Sequence, residues 1–407
     1  MRKKSVQSTK TSTHKIHCFN PGHETAVLAG KANYTPAAIV RKMTSDLELL
    51  PLWYGEAGDY VFVDDAAVAT DFISSIIPAL RPDITPVSLS SATVKTASDS
   101  LEAAPWGWSP HIIRRFETLR TRIPTLSIPQ WSDTLTVLTG RRTAADCLNR
   151  LSAITEGLTM PQFFSEISEI CRFVKQQNRP LIIKTPYSSS GRGVRRINDA
   201  TLDVQTLRWI SGALRKQQYV SIEPALDKIM DFAMEFEADG AGCVVCRGLS
   251  VFDTSDDGAY TGNLLQSQTA LMQLVAAQVA TEDIDRVCES VRAVLEKKTG
   301  CVYRGSLGVD MMIYRRDGVP AIHPFVELNL RRTMGQVSIN LFDRLLHPDS
   351  QGRFAITCQA AGEAYATHLR TAAEHTPVIE NGKIRSGYFS LCPVNADTRY
   401  RAFIVVE

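Results

Sequence analysis

The chain has 407 residues, enough for two or three domains with cores of their own, and its composition is that of an ordinary globular protein. Its 45 basic and 43 acidic side chains leave a formal charge of +2, so no general field favours nucleic acid or an anionic membrane surface, and small molecules are the expected partners. No apolar run approaches the roughly 18 to 20 residues that span a bilayer, no signal-type apolar segment opens the chain, and nine scattered cysteines fit reduced thiols, so the cytoplasm is the expected compartment.

Residues 1–14 are basic, rich in Ser and Thr and free of acidic side chains. They are expected to form a disordered tail, with a transit peptide as the other reading. Ile16 to Phe19 then reads as a strand, followed by the turn Asn20-Pro21-Gly22-His23-Glu24 and a helix. A polar turn between strand and helix is where an open α/β domain binds ligand, so His23 and Glu24 are candidate substrate contacts. Thr35 and Pro36 open a second helix. Strands are expected around Leu47 to Trp53 and Tyr60 to Val63, with a helix over Ala66 to Ile77. This alternation predicts an α/β domain over residues 15–135. Ser109 is placed to cap a helix after Trp106-Gly107-Trp108, where the tryptophans serve either core packing or a substrate wall. Further helices are expected from GRRTAADCLNRL and over Pro161 to Gln177.

The stretch Leu181 to Val194, LIIKTPYSSSGRGV, is the most informative so far. Three apolar residues read as a buried strand ending in Lys184, a loop of serines and glycines follows, and Val194 to Ile197 reads as a returning strand. Such a loop can wrap its amides around phosphate oxygens, because Gly191 and Gly193 have no Cβ to hold the backbone away. It is not a P-loop, in which the lysine follows the glycines and opens a helix. Beyond it come a helix over Leu202 to Lys216, a strand over Tyr219 to Glu223, and an alternating stretch from Phe232 to Glu237. Cys243 and Cys246 lie three apart on a strand, point to opposite faces and read as structural.

The segment Gly308 to Asn329, GVDMMIYRRDGVPAIHPFVELN, carries an Asp317-Gly318 hairpin signal between two alternating runs. A tight turn sets Arg316 against Val319 and Asp310 against Phe325. Phe325, Glu327 and Asn329 then share the face on which Asp310 projects. Two carboxylates and an amide oxygen converging in this way suit Mg²⁺ with phosphates completing its shell. A bulge near Pro320 or Pro324 would alter this register. His323 falls opposite Met312 on the same face and reads as structural or as a neighbour of the site. Gln266 and Gln268, with the polar loop Asp256 to Asn263 before them, read as an acceptor contact or a solvated turn.

Taken together, Lys184 with its Ser/Gly loop, the strand ending at Glu223 and the Asp310 to Asn329 hairpin resemble the ATP-grasp superfamily over roughly residues 135 to 345. The resemblance implies a mixed α/β and α+β fold. An N-terminal Rossmann-like pre-ATP-grasp domain (15–135) would precede two ATP-grasp subdomains (136–218 and 219–407), the second carrying a C-terminal extension. It implies that ATP is bound by Lys184 on its α and β phosphates, by the loop residues Ser188, Ser189, Ser190, Gly191 and Gly193, and by Arg142 as an earlier phosphate contact, with Arg141 its competitor. Glu223, Ala225 and Leu226 match the adenine hinge. Pro224 has no N–H, which makes Leu226 the expected main-chain donor. Asp231 would accept from the ribose. Asp310, Glu327 and Asn329 match the ligands of Mg²⁺, for which Mn²⁺ can substitute.

Arg331, with Arg332 as competitor, stands where the family places an arginine near the transferred phosphoryl group or the substrate carboxylate. Many members carry another arginine two residues before the metal-binding aspartate. Gly308 occupies that position here, and Arg304 is a candidate to supply the charge. The implied activity is an ATP-dependent ligase joining a carboxylate to an amine through an acyl phosphate. A small-molecule kinase and a non-catalytic nucleotide-binding regulator are the alternatives. The sequence does not specify an oligomeric state, a homodimer being a common outcome for soluble enzymes.

Overall fold

The computed structural model describes residues 13–91, 100–152, 157–188, 193–255 and 258–407. Three sheets organise them. The first holds β1 (Thr13–Cys18), β2 (Tyr60–Phe62), β3 (Thr85–Val87), β4 (Ser100–Pro105) and β5 (Leu126–Ser127), all parallel in the order 3-2-1-4-5. The second holds β6 (Gln162–Phe164), β7 (Leu181–Lys184), β8 (Val194–Ile197) and β9 (Val220–Pro224), antiparallel in the order 6-9-7-8. The third has nine strands. They are β10 (Asp227–Asp239), β11 (Val244–Thr254), β12 (Tyr260–Leu265), β13 (Arg304–Arg316), β14 (Val319–Asn329), β15 (Gly352–Cys358), β16 (Val378–Glu380), β17 (Lys383–Ser390) and β18 (Tyr400–Val406), ordered 14-13-10-11-12-15-18-17-16.

The parallel sheet is Rossmann-like, and the helix Asp133–Thr139 follows its last strand. Ser109 caps the helix Pro110–Arg120, its Oγ accepting from the Ile112 amide at 3.3 Å. Three local readings are corrected. Leu47 to Trp53 is not a strand: the helix Ala38–Leu47 runs on to a 3₁₀ turn, Leu50–Trp53, with Pro51 in its first turn, where a missing N–H leaves no bond unmade. Pro161 to Gln177 is not one helix, because β6 pairs with β9 before a shorter helix, Ile167–Lys175, begins. The expected boundary at 219 also moves, since β9 is a strand of the second sheet.

The C-terminal extension is not a separate appendage. Its strands extend the large sheet, and their apolar face joins Trp53, Leu341 and Ile404 in one buried cluster with the first domain. Trp53 Nε1 donates to the Leu391 carbonyl at 2.7 Å, and the Asp46 carboxylate accepts from the Arg399 and Tyr400 amides at 3.0 and 2.9 Å. These bonds dock the helix Ala38–Leu47 on the start of β18.

Candidate active site

The site is assembled on one face of three adjacent strands. Ala233, Asp310 and Glu327 form one row across β10, β13 and β14, and Glu235, Gly308 and Asn329 form the next. Paired residues on neighbouring strands project to the same side, so three carboxylates and an amide gather within two rows. The hairpin keeps the expected pairing from Arg316–Val319 to Met312–His323, and then β14 bulges at Pro324 to Val326 and the pairing advances by two residues. Asp310 therefore faces Glu327, not Phe325. A shift of two leaves every side chain on its face, so the triad survives and becomes tighter.

Asn329 is buried and donates to Asp310. Burial, reinforced by Glu327 and Glu235, pushes the Asp310 carboxyl up to about 8. Such a group is a carboxylate pair short of a cation. Among the described residues no three His, Cys, Asp or Glu side chains are grouped to hold a metal by themselves. Two carboxylates and one amide form an incomplete oxygen set, which fits Mg²⁺ whose remaining ligands come from phosphate and water.

Lys184, at the end of β7, is buried and ion-paired with Glu223 on β9. The base of the loop after it is closed by the Thr185 amide, which donates to the Gly193 carbonyl at 2.8 Å. A Cβ on Gly193 would lie 2.3 Å from both Ser188 Cβ and Thr185 Oγ1, so only glycine allows this closure. Ser189, Ser190 and Gly191 lie outside the described residues.

Of the two paired arginines, Arg141 is the one that reaches the site. Its Nε donates to the Thr185 carbonyl at 2.8 Å, and its guanidinium lies 3.2 Å from both Ser188 Oγ and Glu327 Oε1. It thus bridges the loop after Lys184 to the carboxylates. The expected Arg142 points elsewhere, its guanidinium stacked on Tyr219 and Phe163 at 4.5 and 4.8 Å from the ring centroids. Arg141→Ala is expected to lower kcat/KM for ATP by about 100-fold, whereas Arg142→Ala should cost less than about threefold and remove about 1 kcal/mol of stability. Steady-state kinetics and urea unfolding of both variants test the pair.

After β9 the Ala225 amide is committed to the Pro180 carbonyl at 2.9 Å, and no backbone acceptor takes the Leu226 amide among the described residues. Asp231 stands on the site face of β10, where Lys228 Nζ and Thr254 Oγ1 donate to it at 2.5 and 2.9 Å. His323 is held neutral by burial, its pKa pushed down to about 4, close to Lys184 and Glu223. Gln268 clamps the Leu249 backbone and Gln266 bonds Gln351, so neither lines the site.

Arg331 lies beside the triad. Its Nε donates to Glu24 Oε1 at 2.5 Å, which makes the N-terminal turn part of the site although 307 residues separate the two. His23 next to it is buried with its pKa lowered to about 4 by desolvation. Asp310, Glu327, Asn329 and Arg331 open on a cavity of about 570 Å³ that Trp106 also lines. That is within the range of small-molecule sites, about 300 to 1,000 Å³.

No protein-family model matches the sequence, and no curated protein matches it significantly. Solved structures do match. Biotin carboxylase from Campylobacter jejuni, determined with a β,γ-ATP ligand, superposes at a TM-score of 0.51 with 10% identity over 98% of this chain and 89% of that one. The chain has the ATP-grasp fold. The biotin carboxylase domain of 2-oxoglutarate carboxylase from Hydrogenobacter thermophilus, a dimer with MgADP, ADP and bicarbonate, gives 0.50 at 10% identity, covering 96% and 85%. N5-carboxyaminoimidazole synthetase from Staphylococcus aureus with ADP gives 0.47 at 12% identity, covering 98% and 94%.

Within this fold the glycine at 308 has a local cause. A Cβ there would lie 2.6 Å from Glu235 Oε2 and from Thr333 Cγ2. Glu235 fills the space, fully buried, accepting from Thr333 Oγ1 at 2.7 Å and Ser250 Oγ at 3.0 Å, and burial pushes its pKa up to about 7. Arg304 does not substitute for the missing arginine. It sits four residues before Gly308 on β13, about 13 Å along the strand, exposed and paired with Glu102 at 3.0 Å. Sequence reasoning missed Glu235. Its one signal was a charged residue set between Met234 and Phe236 in the apolar middle of a strand.

Proposed function

We propose that the protein is an ATP-dependent carboxylate–amine ligase, releasing ADP and phosphate, with Mg²⁺ or in its place Mn²⁺. The observation that supports this reading is Arg141, whose guanidinium joins Ser188, in the loop after Lys184, to Glu327, so that in this reading the nucleotide and metal ligands share one frame. In this reading Lys184 leaves Glu223 for the α and β phosphates, and the Leu226 amide binds adenine. Mg²⁺ held by Asp310, Glu327 and Asn329 would neutralise phosphate charge and orient the γ-phosphoryl group. Arg331, fixed by Glu24, holds the substrate carboxylate against that group. The carboxylate oxygen attacks γ-phosphorus, ADP leaves, and the resulting acyl phosphate is captured by an amine with loss of phosphate. Arg331 stabilises the oxyanion that forms. No side-chain nucleophile is required.

The nine free cysteines support a cytoplasmic setting, and a homodimer is part of the proposal. No helix among the described residues is long and apolar enough to cross a membrane. The test follows the γ-phosphate of Mg·ATP by phosphorus NMR with pooled carboxylic acids and amines. Substrate-dependent release of inorganic phosphate is expected, lost in Glu327→Ala and Asn329→Ala with the fold intact, while Lys184→Ala raises the calorimetric Kd for ATP at least tenfold. A stable phosphorylated metabolite would replace this reading with a kinase.

A further inference from the structure

The large cavity is chemically divided. At one end stand Asp310, Glu327, Asn329 and Arg331. The central sheet and the turn after it add further polar side chains, Glu235, Ser250, Thr254, Asn263 and Thr333, whereas the apolar side of the cavity comes from Ile39 and Met43 of the first domain, Phe252 and Met334 of the central sheet and the helix after it, and Ile356 and Tyr400 of the C-terminal extension. Specific contacts hold these surfaces together. The Asp46 carboxylate fixes the helix carrying Ile39 and Met43 to the β18 amides beside Tyr400, and β15, carrying Ile356, pairs with β18 along its length. Ile39 is 45% exposed on the cavity wall, so a substitution there leaves the core packing in place.

We propose, resting on the ligase reading, that the C-terminal extension and the helix Ala38–Leu47 form the specificity pocket for the carboxylate substrate, and that this substrate is a carboxylic acid with an apolar body. The two ends of the cavity match the two ends of such a molecule. Its carboxylate lies at Arg331 facing the γ-phosphate, and its hydrocarbon part displaces water from the surface of Met43, Phe252, Met334, Ile356 and Tyr400. A polar or highly charged acid would leave its own groups unpaired against that wall. On the extension's side of the cavity the side chains with polar tips are Thr357, Cys358 and Tyr400, and the buried Thr357 hydroxyl has no hydrogen-bond partner.

The experiment measures binding, not turnover. Straight-chain monocarboxylates from acetate to octanoate are titrated by calorimetry into the full chain loaded with Mg²⁺ and a non-hydrolysable ATP analogue. Kd is expected to fall about fourfold per added methylene until the cavity is full. Ile356→Trp should shorten this series, weakening octanoate at least tenfold with acetate unchanged. Ile39→Asp, at an exposed position that folding does not depend on, should weaken octanoate at least threefold. A flat series, or tighter binding of dicarboxylates of equal length, overturns the proposal. A graded series without ATP cleavage in any acid–amine mixture would keep the pocket and refute the ligase reading, while cleavage with a flat series would do the reverse.

Discussion

Asp310→Asn is expected to raise the stability of the free protein and abolish its turnover. The Asp310 carboxyl is pushed up to about 8, first by burial and then by Glu327 and Glu235. A folded-state pKa above the unfolded one means that the group's contribution to stability is complete below the ordinary carboxylate range, near pH 4, and is lost as the pH rises through about 8. Wild-type protein without nucleotide should therefore weaken between these limits, and the asparagine variant should weaken less. At pH 8.5 the difference should reach a few kcal/mol, since each tenfold change in proton affinity between the folded and unfolded chain is worth about 1.4 kcal/mol. Glu235, raised to about 7, titrates in both proteins and largely cancels from the comparison. Activity moves the other way, because a neutral amide cannot balance the cation that the phosphates bring, and a loss of about a thousandfold in kcat is expected. Urea unfolding at pH 5 and pH 8.5, beside phosphate release, reads both effects. A variant less stable than wild type at pH 8.5 would show that Asp310 is not the uncompensated charge of the site.

Gly335→Ala should be among the most destabilising single-methyl additions in the chain. In an open helix alanine would be preferred to glycine by about 1 kcal/mol. Here the new Cβ would lie 1.9 Å from Glu235 Oε1 and 2.2 Å from Ser250 Oγ, at a carboxylate with no exposed surface. Neither atom can withdraw, since Glu235 is held from its other side by Thr333, the cap of the helix Met334–Leu345. The expected loss is about 3 kcal/mol or more. Glu235→Ala alone leaves the Ser250 and Thr333 hydroxyls without their acceptor and should cost about 1 to 3 kcal/mol. In the double variant the clash with Glu235 is gone and the Ser250 hydroxyl, no longer held by that carboxylate, is free to rotate away, so the effects should fall short of additivity by at least about 1 kcal/mol. Equilibrium unfolding of the four proteins measures that coupling, and simple additivity would mean that the glycine is not there to admit Glu235.

Glu235 also departs from what the family resemblance implies. An arginine is expected two residues before the metal-binding aspartate, and its absence at Gly308 pointed to Arg304 as a replacement. The structure instead places a buried carboxylate in that volume, with Gly308 and Gly335 as its two clearances. The charge at this point of the site is therefore opposite in sign to the one the family pattern implies. Arg331 remains beside the triad together with Arg141, and the orientation of Arg331 depends on Glu24.

The chemistry legible in the sequence is the part tied to local periodicity. Asp317-Gly318 sets a tight turn, alternation puts Asp310, Glu327 and Asn329 on one face, and the Lys184 loop between two short strands announces a phosphate cradle. The turn and the shared face hold because a strand's two-residue period survives even the bulge at Pro324, which moves the pairing by two. Tertiary structure alone decided the rest. Arg141 and Arg142 are adjacent on one helix, and which of them turns inward depends on how that helix packs on β14. Glu24 meets Arg331 only because the first domain docks across the sheet. The cavity's apolar wall exists because Asp46 joins a helix from the first fifty residues to the strand at the C-terminus. Contacts between segments so far apart leave no periodic trace in either one, since each side chain's partner is set by the packing of whole elements.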